Sequence, residues 1–339
     1  MRPQAPLLIG ISANLRSQGG RGICTTAALV RRSGAAAVRE DLEWARVQPR
    51  PGPFHWGYYD RVAATAAQRG LVLLPLLDDT PGWAGPGPQA TARSPAQFAS
   101  FVAAAVTRYG PGGTFWQAHP TLAARAPRYF ELYNEPYGTP DAQGGPDPEG
   151  YARDVLAAVT AGRQANPRAS YLLAADLYTA GREESWIEAL YSVIPALRDY
   201  VAGVAVHPYG EGPVSQLLPG TAGRSDVRRV EEIEAILRAH GDGGVPLWLT
   251  EIGWPSCSGQ EICVGEAGQA RDLQQLFALA RGSWRSFVRA VFVYQLHDYG
   301  PGTGADPEEW YGLLRPDGTA KPAWKVLRAA ALQDRAASG

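Results

Sequence analysis

Two stretches decide the fold prediction: residues 129–136, Tyr-Phe-Glu-Leu-Tyr-Asn-Glu-Pro, and residues 245–254, Val-Pro-Leu-Trp-Leu-Thr-Glu-Ile-Gly-Trp. Each begins as a short run rich in apolar residues and ends in polar residues that include a glutamate, Glu135 or Glu251. A short apolar run of this kind is typical of a β-strand, and the polar residues behind it predict that the strand leads into a loop. The two stretches therefore predict two buried strands that each carry a carboxyl group at one end.

Comparable apolar runs recur along the whole chain and alternate with longer amphipathic stretches. The eight predicted strands are Leu7–Ile11, Ala35–Arg39, Leu71–Leu77, Tyr129–Tyr133, Ser170–Ala175, Val201–His207, Val245–Thr250 and Val288–Gln295. Alternation of strands and helices predicts an α/β fold with a parallel sheet. Eight units, without a Gly-rich phosphate loop after the first strand, favour a closed (β/α)8 TIM barrel over an open doubly wound sheet.

Apolar spacing near 3.6 residues, with Pro at helix starts and Gly behind helix ends, predicts the helices. They are Tyr58–Arg69, Ser94–Arg108, Pro148–Gln164, Asp226–Ala239, Ala267–Ala280 and Pro322–Ala331. Three Pro/Gly-rich segments, 81–88, 137–148 and 299–307, follow strand ends. We interpret them as long loops on the catalytic face of one domain that spans residues 1–339.

The charge balance excludes several classes of partner. The formal net charge is -1, without long runs of like charge, so no surface for nucleic acid or an anionic membrane is indicated. No apolar run approaches the roughly 20 residues that cross a bilayer. We expect a monomer that acts on a carbohydrate and requires no cofactor.

Three cysteines bear on the compartment. Cys257 and Cys263 have five residues between them; they could form a disulfide, which would favour an oxidising compartment, or stay reduced. No second Cys or His pair accompanies them, so no metal site is expected. Cys24 is expected to be a buried, inert thiol. The chain does not begin with a signal peptide, so we expect either an extracytoplasmic protein whose leader is absent or a cytoplasmic one.

Glu135 and Glu251 are 116 residues apart, yet a barrel would bring the ends of their strands to the same face. Cleavage of a glycosidic bond needs one carboxyl group that protonates the leaving oxygen and a second that attacks the sugar or activates water. The two groups must then differ in protonation at the working pH, so their environments must differ. The pair predicts a glycosidase.

The motifs around the two glutamates carry a family resemblance. Asn134-Glu135-Pro136 and Thr250-Glu251-Ile252-Gly253-Trp254 resemble the fourth-strand and seventh-strand signatures of the clan A glycoside hydrolases. Residues 108–116 (Arg-Tyr-Gly-Pro-Gly-Gly-Thr-Phe-Trp), 206–209 (Val-His-Pro-Tyr) and 312–322 extend the similarity to family 39-like and family 5-like members. The resemblance implies a retaining hydrolase of β-glycosidic bonds on a TIM barrel.

The resemblance also implies roles for single residues. Glu135 would be the acid/base, Glu251 the nucleophile, and Asn134 would bind the sugar hydroxyl beside the scissile bond. Arg39, at the end of the second strand, would keep Glu251 ionised. His207 and Tyr209 would line the wall of the site, with Tyr209 hydrogen-bonded to Glu251. Trp83 and Trp254 would be the aromatic faces on which sugar rings stack.

Other interpretations of these residues remain open. Glu135 could cap a helix, and Arg39 could pair with its neighbours Glu40, Asp41 or Glu43. His207 could be a core histidine, and Trp83 could anchor a loop on the barrel rim. Glu131 receives no predicted role. At the level of function, a transglycosylase or a carbohydrate-binding barrel without turnover would preserve most of the same features.

Overall fold

Eight parallel strands form the centre of the structure. The computed structural model describes residues 6–15, 22–88, 90–138, 146–180, 183–209, 227–299 and 306–336. The strands are β1 (Leu8–Ser12), β2 (Ala37–Glu43), β3 (Val72–Asp78), β4 (Tyr129–Leu132), β5 (Ser170–Ala174), β6 (Gly203–Val206), β7 (Leu247–Ile252) and β8 (Val288–Tyr294). Each predicted strand is present, with its ends shifted by a few residues. The largest shift is in β2, which continues to Glu43, so Arg39 lies inside this strand and not at its end.

The strands close into a barrel in sequence order. Each strand is parallel to the next, and β1 completes the ring by pairing with β8, where Ile9 lies opposite Val291. This arrangement confirms the predicted (β/α)8 fold class. Because all eight strands run in the same direction, their carboxyl ends meet on one face, which is where barrels of this kind carry their active sites.

Helices surround the barrel. They are α1 (Ile23–Arg32), α2 (Trp44–Val47), α3 (Gly57–Gln68), α4 (Pro95–Tyr109), α5 (Thr114–Ala118), α6 (Pro148–Ala165), α7 (Trp186–Tyr191), α8 (Arg229–Ala239), α9 (Gly265–Arg281) and α10 (Pro322–Ala336). All six predicted helices are found, although Asp226, the predicted start of α8, lies outside the described residues. The sequence analysis did not locate α1, α2, α5 or α7. None of the described helices has the length and apolar character that crossing a membrane requires.

Helix α6 shows how local sequence sets an element that later bears on the site. Pro148 occupies its first turn, and the Asp147 carboxylate accepts a hydrogen bond from the Gly150 N–H at 2.8 Å. A proline there loses no helical hydrogen bond, and the aspartate satisfies a free N–H group of the first turn. The buried face of α6, with Tyr151 and Asp154, packs towards β4 and β5.

The barrel interior is layered. Its apolar layer consists of Ala37, Leu74, Leu172, Ala205, Trp248, Ala290 and Phe292. Gly10 leaves room for this layer, because a Cβ atom there would stand 2.4 Å from the Phe292 ring. Side chains of a strand alternate between its two faces, so residues two positions further along also point inwards. On β2, directly after β6 and on β7, those positions hold the buried polar residues Arg39, His207 and Thr250.

The cysteines are divided between a loop and the surface. Cys257 and Cys263 form a disulfide in the loop between β7 and α9. Of the two states that the sequence left open, a disulfide or two reduced thiols, the structure has the disulfide. Cys24 is exposed at the start of α1, so the expectation of a buried thiol was wrong. Helix α1, which the sequence analysis missed, presents this residue on its solvent face.

The interior layering generates a stability prediction. Phe292→Ala removes a fully buried ring from the barrel interior and should lower the free energy of unfolding by about 3–5 kcal/mol. Leu332→Ala is the control, because Leu332 is 49% exposed and its truncation should cost no more than about 0.5 kcal/mol. Urea unfolding of both variants measures the difference. Equal stabilities would contradict the assignment of Phe292 to the core.

Candidate active site

Arg39 is the central residue of the polar layer. Its Nε and Nη2 donate to the two carboxylate oxygens of Glu131 at 2.7 and 3.1 Å. Nη2 also donates to Asn134 Oδ1 at 2.8 Å, and Nη1 donates to Glu251 Oε1 at 2.5 Å. Burial disfavours the charge of Arg39, but the carboxylates of Glu131 and Glu251 raise its pKa above the ordinary value. One guanidinium thus joins β2 with residues on or just behind β4 and β7.

The alternative partners of Arg39, the adjacent acidic residues of β2, do not hydrogen-bond to its guanidinium. Glu131 does so instead, and the sequence analysis gave this residue no role. Its side chain is fully buried, which would keep it neutral, but the charge and hydrogen bonds of Arg39, with help from His207, lower its pKa to about 2. The sequence did contain a signal for this role. Glu131 follows the inward-facing Tyr129 by two positions, and alternation along a strand places its side chain inside the barrel as well.

Glu251 accepts hydrogen bonds from two directions. Besides Arg39 Nη1, the Tyr209 hydroxyl donates to Glu251 Oε2 at 2.8 Å, which confirms the predicted contact. Burial and the charge of Glu251 raise the pKa of Tyr209, so its hydroxyl keeps the proton that it donates. The pairing of β7 with β8 is irregular between Leu249 and Ile252, and such irregularities re-aim side chains. The Glu251 side chain accordingly lines a cavity at the carboxyl ends of the strands, which is called the central cavity below.

Glu135 lies three residues behind the end of β4 and contacts His207. The distance from His207 Nδ1 to Glu135 Oε1 is 2.8 Å, and His207 Nε2 lies 3.0 Å from Thr250 Oγ1. The Thr250 hydroxyl donates its own hydrogen to Glu131 at 3.0 Å, so its oxygen accepts from His207 Nε2–H. This assigns the ring hydrogen to Nε2, and Nδ1 faces Glu135 with or without a second proton.

The Glu135–His207 pair therefore holds one mobile proton. Burial opposes ionisation of Glu135, but the hydrogen bond and charge of His207 outweigh burial and lower the pKa of Glu135. Burial also disfavours the imidazolium, but the charge of Glu251 and the hydrogen bonds to Glu131 and Glu135 raise the pKa of His207 to about 9. Both shifts favour the proton on His207, 2.8 Å from the Glu135 oxygen that could receive it.

The carboxyl groups of Glu135 and Glu251 lie close together, next to His207. One carboxylate oxygen of Glu135, one of Glu251 and a ring nitrogen of His207 all lie within 4.8 Å of one another. Three such atoms could in principle hold a metal ion. Here Arg39 and Tyr209 already bind Glu251, and the ring nitrogens of His207 face Glu135 and Thr250. The donors and the adjacent guanidinium suit proton transfer better than cation binding.

A cavity of about 560 Å³ opens in front of Glu251 on the carboxyl face of the barrel. Arg39 and Asn134 lie in its wall, together with the carboxylates of Asp41, Glu43, Asp78 and Asp79. Burial and the nearby charge of Asp41 raise the pKa of Asp78. Carboxylates outnumber cations in the described part of this wall, so the cavity favours neutral or cationic ligands.

The structure places the two predicted tryptophans outside this wall. Trp254 is 1% exposed, so its ring has no free face for a sugar. Trp83 is partly buried against Trp44 at 5.5 Å, and its Nε1 donates to the Gln48 carbonyl at 3.0 Å, which is the loop-anchor arrangement. The aromatic residue that lines the cavity and is exposed is Tyr299, at 43%. From the sequence, Tyr299 was predicted only as the start of a loop.

Comparisons with known proteins support the fold. No protein-family model and no curated protein matches the chain. Among solved structures it is similar to a family 39 glycoside hydrolase from the gut symbiont Bacteroides cellulosilyticus, with a TM-score of 0.72, 21% identity, and coverage of 96% of this chain and 64% of that one. It is also similar to a GH39 enzyme from Xanthomonas axonopodis pv. citri, with a TM-score of 0.67 and 17% identity. This match covers 96% of this chain and 66% of that one.

A third structure is a GH5_18 variant from Bifidobacterium longum subsp. longum in complex with Manb1-4GlcNAc. The TM-score is 0.69 and the identity 14%, and the match covers 98% of this chain and 79% of that one. The chain spans just under two thirds of the length of the two family 39 structures. These likenesses confirm that the barrel has the fold of family 39 and family 5 enzymes.

The proton of the Glu135–His207 pair can be tested without a substrate. NMR titration of the His207 ring should give a pKa near 9, and Glu251→Gln should lower it by removing the largest charge that opposes burial. Because this pKa exceeds the unfolded value of about 6.5, the stability from protonated His207 is complete below that pH. It is lost as the pH rises through about 9.

The control variant is Glu188→Gln, which removes the surface partner of His240 and should leave the His207 titration unchanged. A His207 ring that is neutral at pH 7 in the wild-type protein would contradict the assignment of the proton.

Proposed function

We propose that this protein is a retaining glycoside hydrolase that cleaves β-glycosidic bonds of an oligosaccharide or polysaccharide. The observation that carries the proposal is the close approach of Glu135 and Glu251, within 4.8 Å for one pair of carboxylate oxygens, in two different environments. Retaining enzymes hold their two carboxyl groups about 5–5.5 Å apart, whereas inverting enzymes need about 6.5–9.5 Å to admit a water molecule. The short separation favours retention.

In the first step a Glu251 carboxylate oxygen attacks the anomeric carbon, and the bond to the leaving oxygen breaks. Arg39 and Tyr209 each donate a hydrogen bond to Glu251 and orient it for the attack. The leaving oxygen takes the proton that Glu135 shares with His207. The products of this step are a glycosyl ester of Glu251 and a free hydroxyl group.

In the second step water replaces the leaving group. Esterification removes the negative charge of Glu251, and Glu135, now ionised, accepts a proton from the water that attacks the anomeric carbon. The ester bond to Glu251 breaks, and the sugar leaves with its original configuration. Asn134, held by Arg39, lies in the cavity wall, where its amide can donate to a sugar hydroxyl next to the reacting carbon.

The charge of the cavity narrows the substrate class. Asp41, Glu43, Asp78 and Asp79 surround the space in front of Glu251, and Arg39 is already engaged by carboxylates. A uronic acid would be repelled there, while carboxylate oxygens are good acceptors for the hydroxyl groups of a neutral sugar. The substrate that fits is a neutral glycoside.

Substitution of the two glutamates tests the reaction. Both Glu251→Gln and Glu135→Gln should lower hydrolysis of aryl β-glycosides on the order of 10³-fold or more. With a leaving group that needs no protonation, Glu135→Gln should still form the glycosyl ester and accumulate it. A 2-fluoro glycoside should label Glu251, as located by peptide mass mapping.

The control is Glu266→Gln, which alters a surface pair with Arg315 and should retain full activity. Wild-type turnover by Glu251→Gln, or a label on another residue, would refute the nucleophile assignment. A panel of neutral glycosides that bind without any hydrolysis would show instead a carbohydrate-binding barrel. Transfer of the sugar to an added acceptor in preference to water would identify a transglycosylase.

Tyr299 is the aromatic face that the structure offers to a sugar ring. Tyr299→Ala should raise KM for an oligosaccharide up to about tenfold and leave kcat unchanged, because stacking contributes roughly 0.5–1.5 kcal/mol to binding. Leu332→Ala, which alters the other exposed large apolar side chain of the described residues, is the control. An unchanged KM for oligosaccharides of every length tested would remove Tyr299 from the binding site.

A further inference from the structure

The segment that carries Glu135 has an unusual backbone. Tyr133 and Glu135 both have positive φ angles, 61° and 44°, on either side of Asn134. Residues other than glycine rarely adopt this conformation, and they persist in it only where the surrounding structure holds them. The alternation of β4 would turn Tyr133 inwards after Glu131; the backbone instead turns Tyr133 outwards and brings Asn134 to Arg39 and Glu135 to His207. Something must hold this turn.

Tyr133 is held at both ends. Its backbone N–H donates to the Leu77 carbonyl at 3.0 Å. Its ring stacks on Phe98 of α4 with centroids 4.2 Å apart and meets Tyr151 of α6 edge-on at 5.8 Å. Its hydroxyl donates to Asp154 Oδ2 of α6 at 2.8 Å and accepts from the Ala92 N–H at 3.1 Å. The hydroxyl bond is directional and fixes the ring along its long axis, which apolar packing alone does not.

Asp154 is an unusual residue for a helix face that packs against a barrel. It is 1% exposed, and no salt bridge to it occurs among the described residues. Oδ2 accepts from both Tyr133 and the Ala92 N–H, the latter at 3.0 Å, whereas Oδ1 has no hydrogen-bond partner. A buried carboxylate with one unsatisfied oxygen is costly, and an apolar residue would serve packing better. Its two bonds explain its presence.

The second bond reaches the loop between β3 and α4. Ala92 belongs to this loop, which also contributes Asp79 and Pro88 to the wall of the central cavity. The same carboxylate oxygen thus ties the turn before Glu135 to the loop that faces the substrate. We infer that Asp154 is a positioning residue, which acts through Tyr133 to set Asn134 and Glu135 in their reactive geometry. Its effect on catalysis rests on the proposed glycosidase function, but its effect on the turn does not.

The protein contains a matched control for this junction. Asp242 is also fully buried, and its Oδ2 accepts from the Tyr191 hydroxyl at 3.0 Å and from the Leu197 N–H at 2.8 Å. This second junction lies between α8 and β7, at the opposite end of the barrel from the cavity. Tyr191→Phe therefore removes a buried hydroxyl bond from tyrosine to aspartate without touching the turn of Tyr133.

Kinetics of the paired variants form the first test. Both Tyr133→Phe and Tyr191→Phe should lose stability, but only Tyr133→Phe should lower kcat for an aryl glycoside, by about 10- to 100-fold, as expected for a misplaced catalytic group. Its KM should stay within about twofold, because Glu135 acts on the transition state. Asp154→Ala should behave like Tyr133→Phe. Asp154→Asn should restore most of kcat, since its amide oxygen can accept both hydrogen bonds.

Crystal structures of Tyr133→Phe and Tyr191→Phe form the second test and need no activity. The first should show relaxed φ angles at 133 and 135 and a lost contact between Glu135 and His207, and the second should show neither. An unchanged turn in Tyr133→Phe, or an equal loss of kcat in both variants, would overturn the inference. A relaxed turn in a protein whose wild type hydrolyses no glycoside would support the positioning role and refute the proposed function.

Discussion

The buried ion pair between Arg39 and Glu131 is the interaction on which the rest of the site depends. Both side chains are almost completely buried inside the barrel, where an unpaired charge costs several kcal/mol. Both oxygens of Glu131 bind the guanidinium, and the remaining N–H groups of Arg39 bind Glu251, Asn134 and Ser12. A shift in the register of β2, β4 or β7 would leave a buried charged group without its partner. The pair therefore fixes the relative positions of these strands together with their functional ends.

The same pair makes the two glutamates of the site unequal. Glu251 receives its hydrogen bonds from Arg39 and Tyr209, two groups that do not lose their protons near neutral pH. Glu135 faces His207, a group that gives and takes a proton. The difference between the two environments thus has two sources, Arg39 beside Glu251 and His207 beside Glu135. The acid/base role that we propose for Glu135 needs a carboxyl group that gains and loses a proton in each cycle, and His207, at 2.8 Å, can supply and accept that proton.

Sequence periodicity predicted the scaffold well because barrel strands and their helices obey local rules. Strands such as β3, and helices such as α6 with Pro148 in its first turn, lie within a few residues of their predicted positions. The stacking role of Trp254 could not be judged in the same way, since burial depends on what packs against the ring. Glu131 was overlooked for a related reason: a charged residue in a short strand is ambiguous until the barrel shows that Arg39 lies opposite it.

The two carboxyl groups that we propose as catalytic lie where the regular alternation of their strands ends. Inward alternation along β4 holds for Tyr129 and Glu131 and then fails at Tyr133, whose positive φ turns it outwards; in β7 it fails near Glu251, where the pairing with β8 is irregular. A regular strand can aim only every second residue at the barrel axis, and those places are taken by the ion pair and its partners. Glu135 and Glu251 lie beside such breaks, and the break after β4 is held from outside the barrel by Phe98, Tyr151 and Asp154. Alternation alone therefore cannot place Glu135 or Glu251, whereas motifs that preserve the residues of each break can.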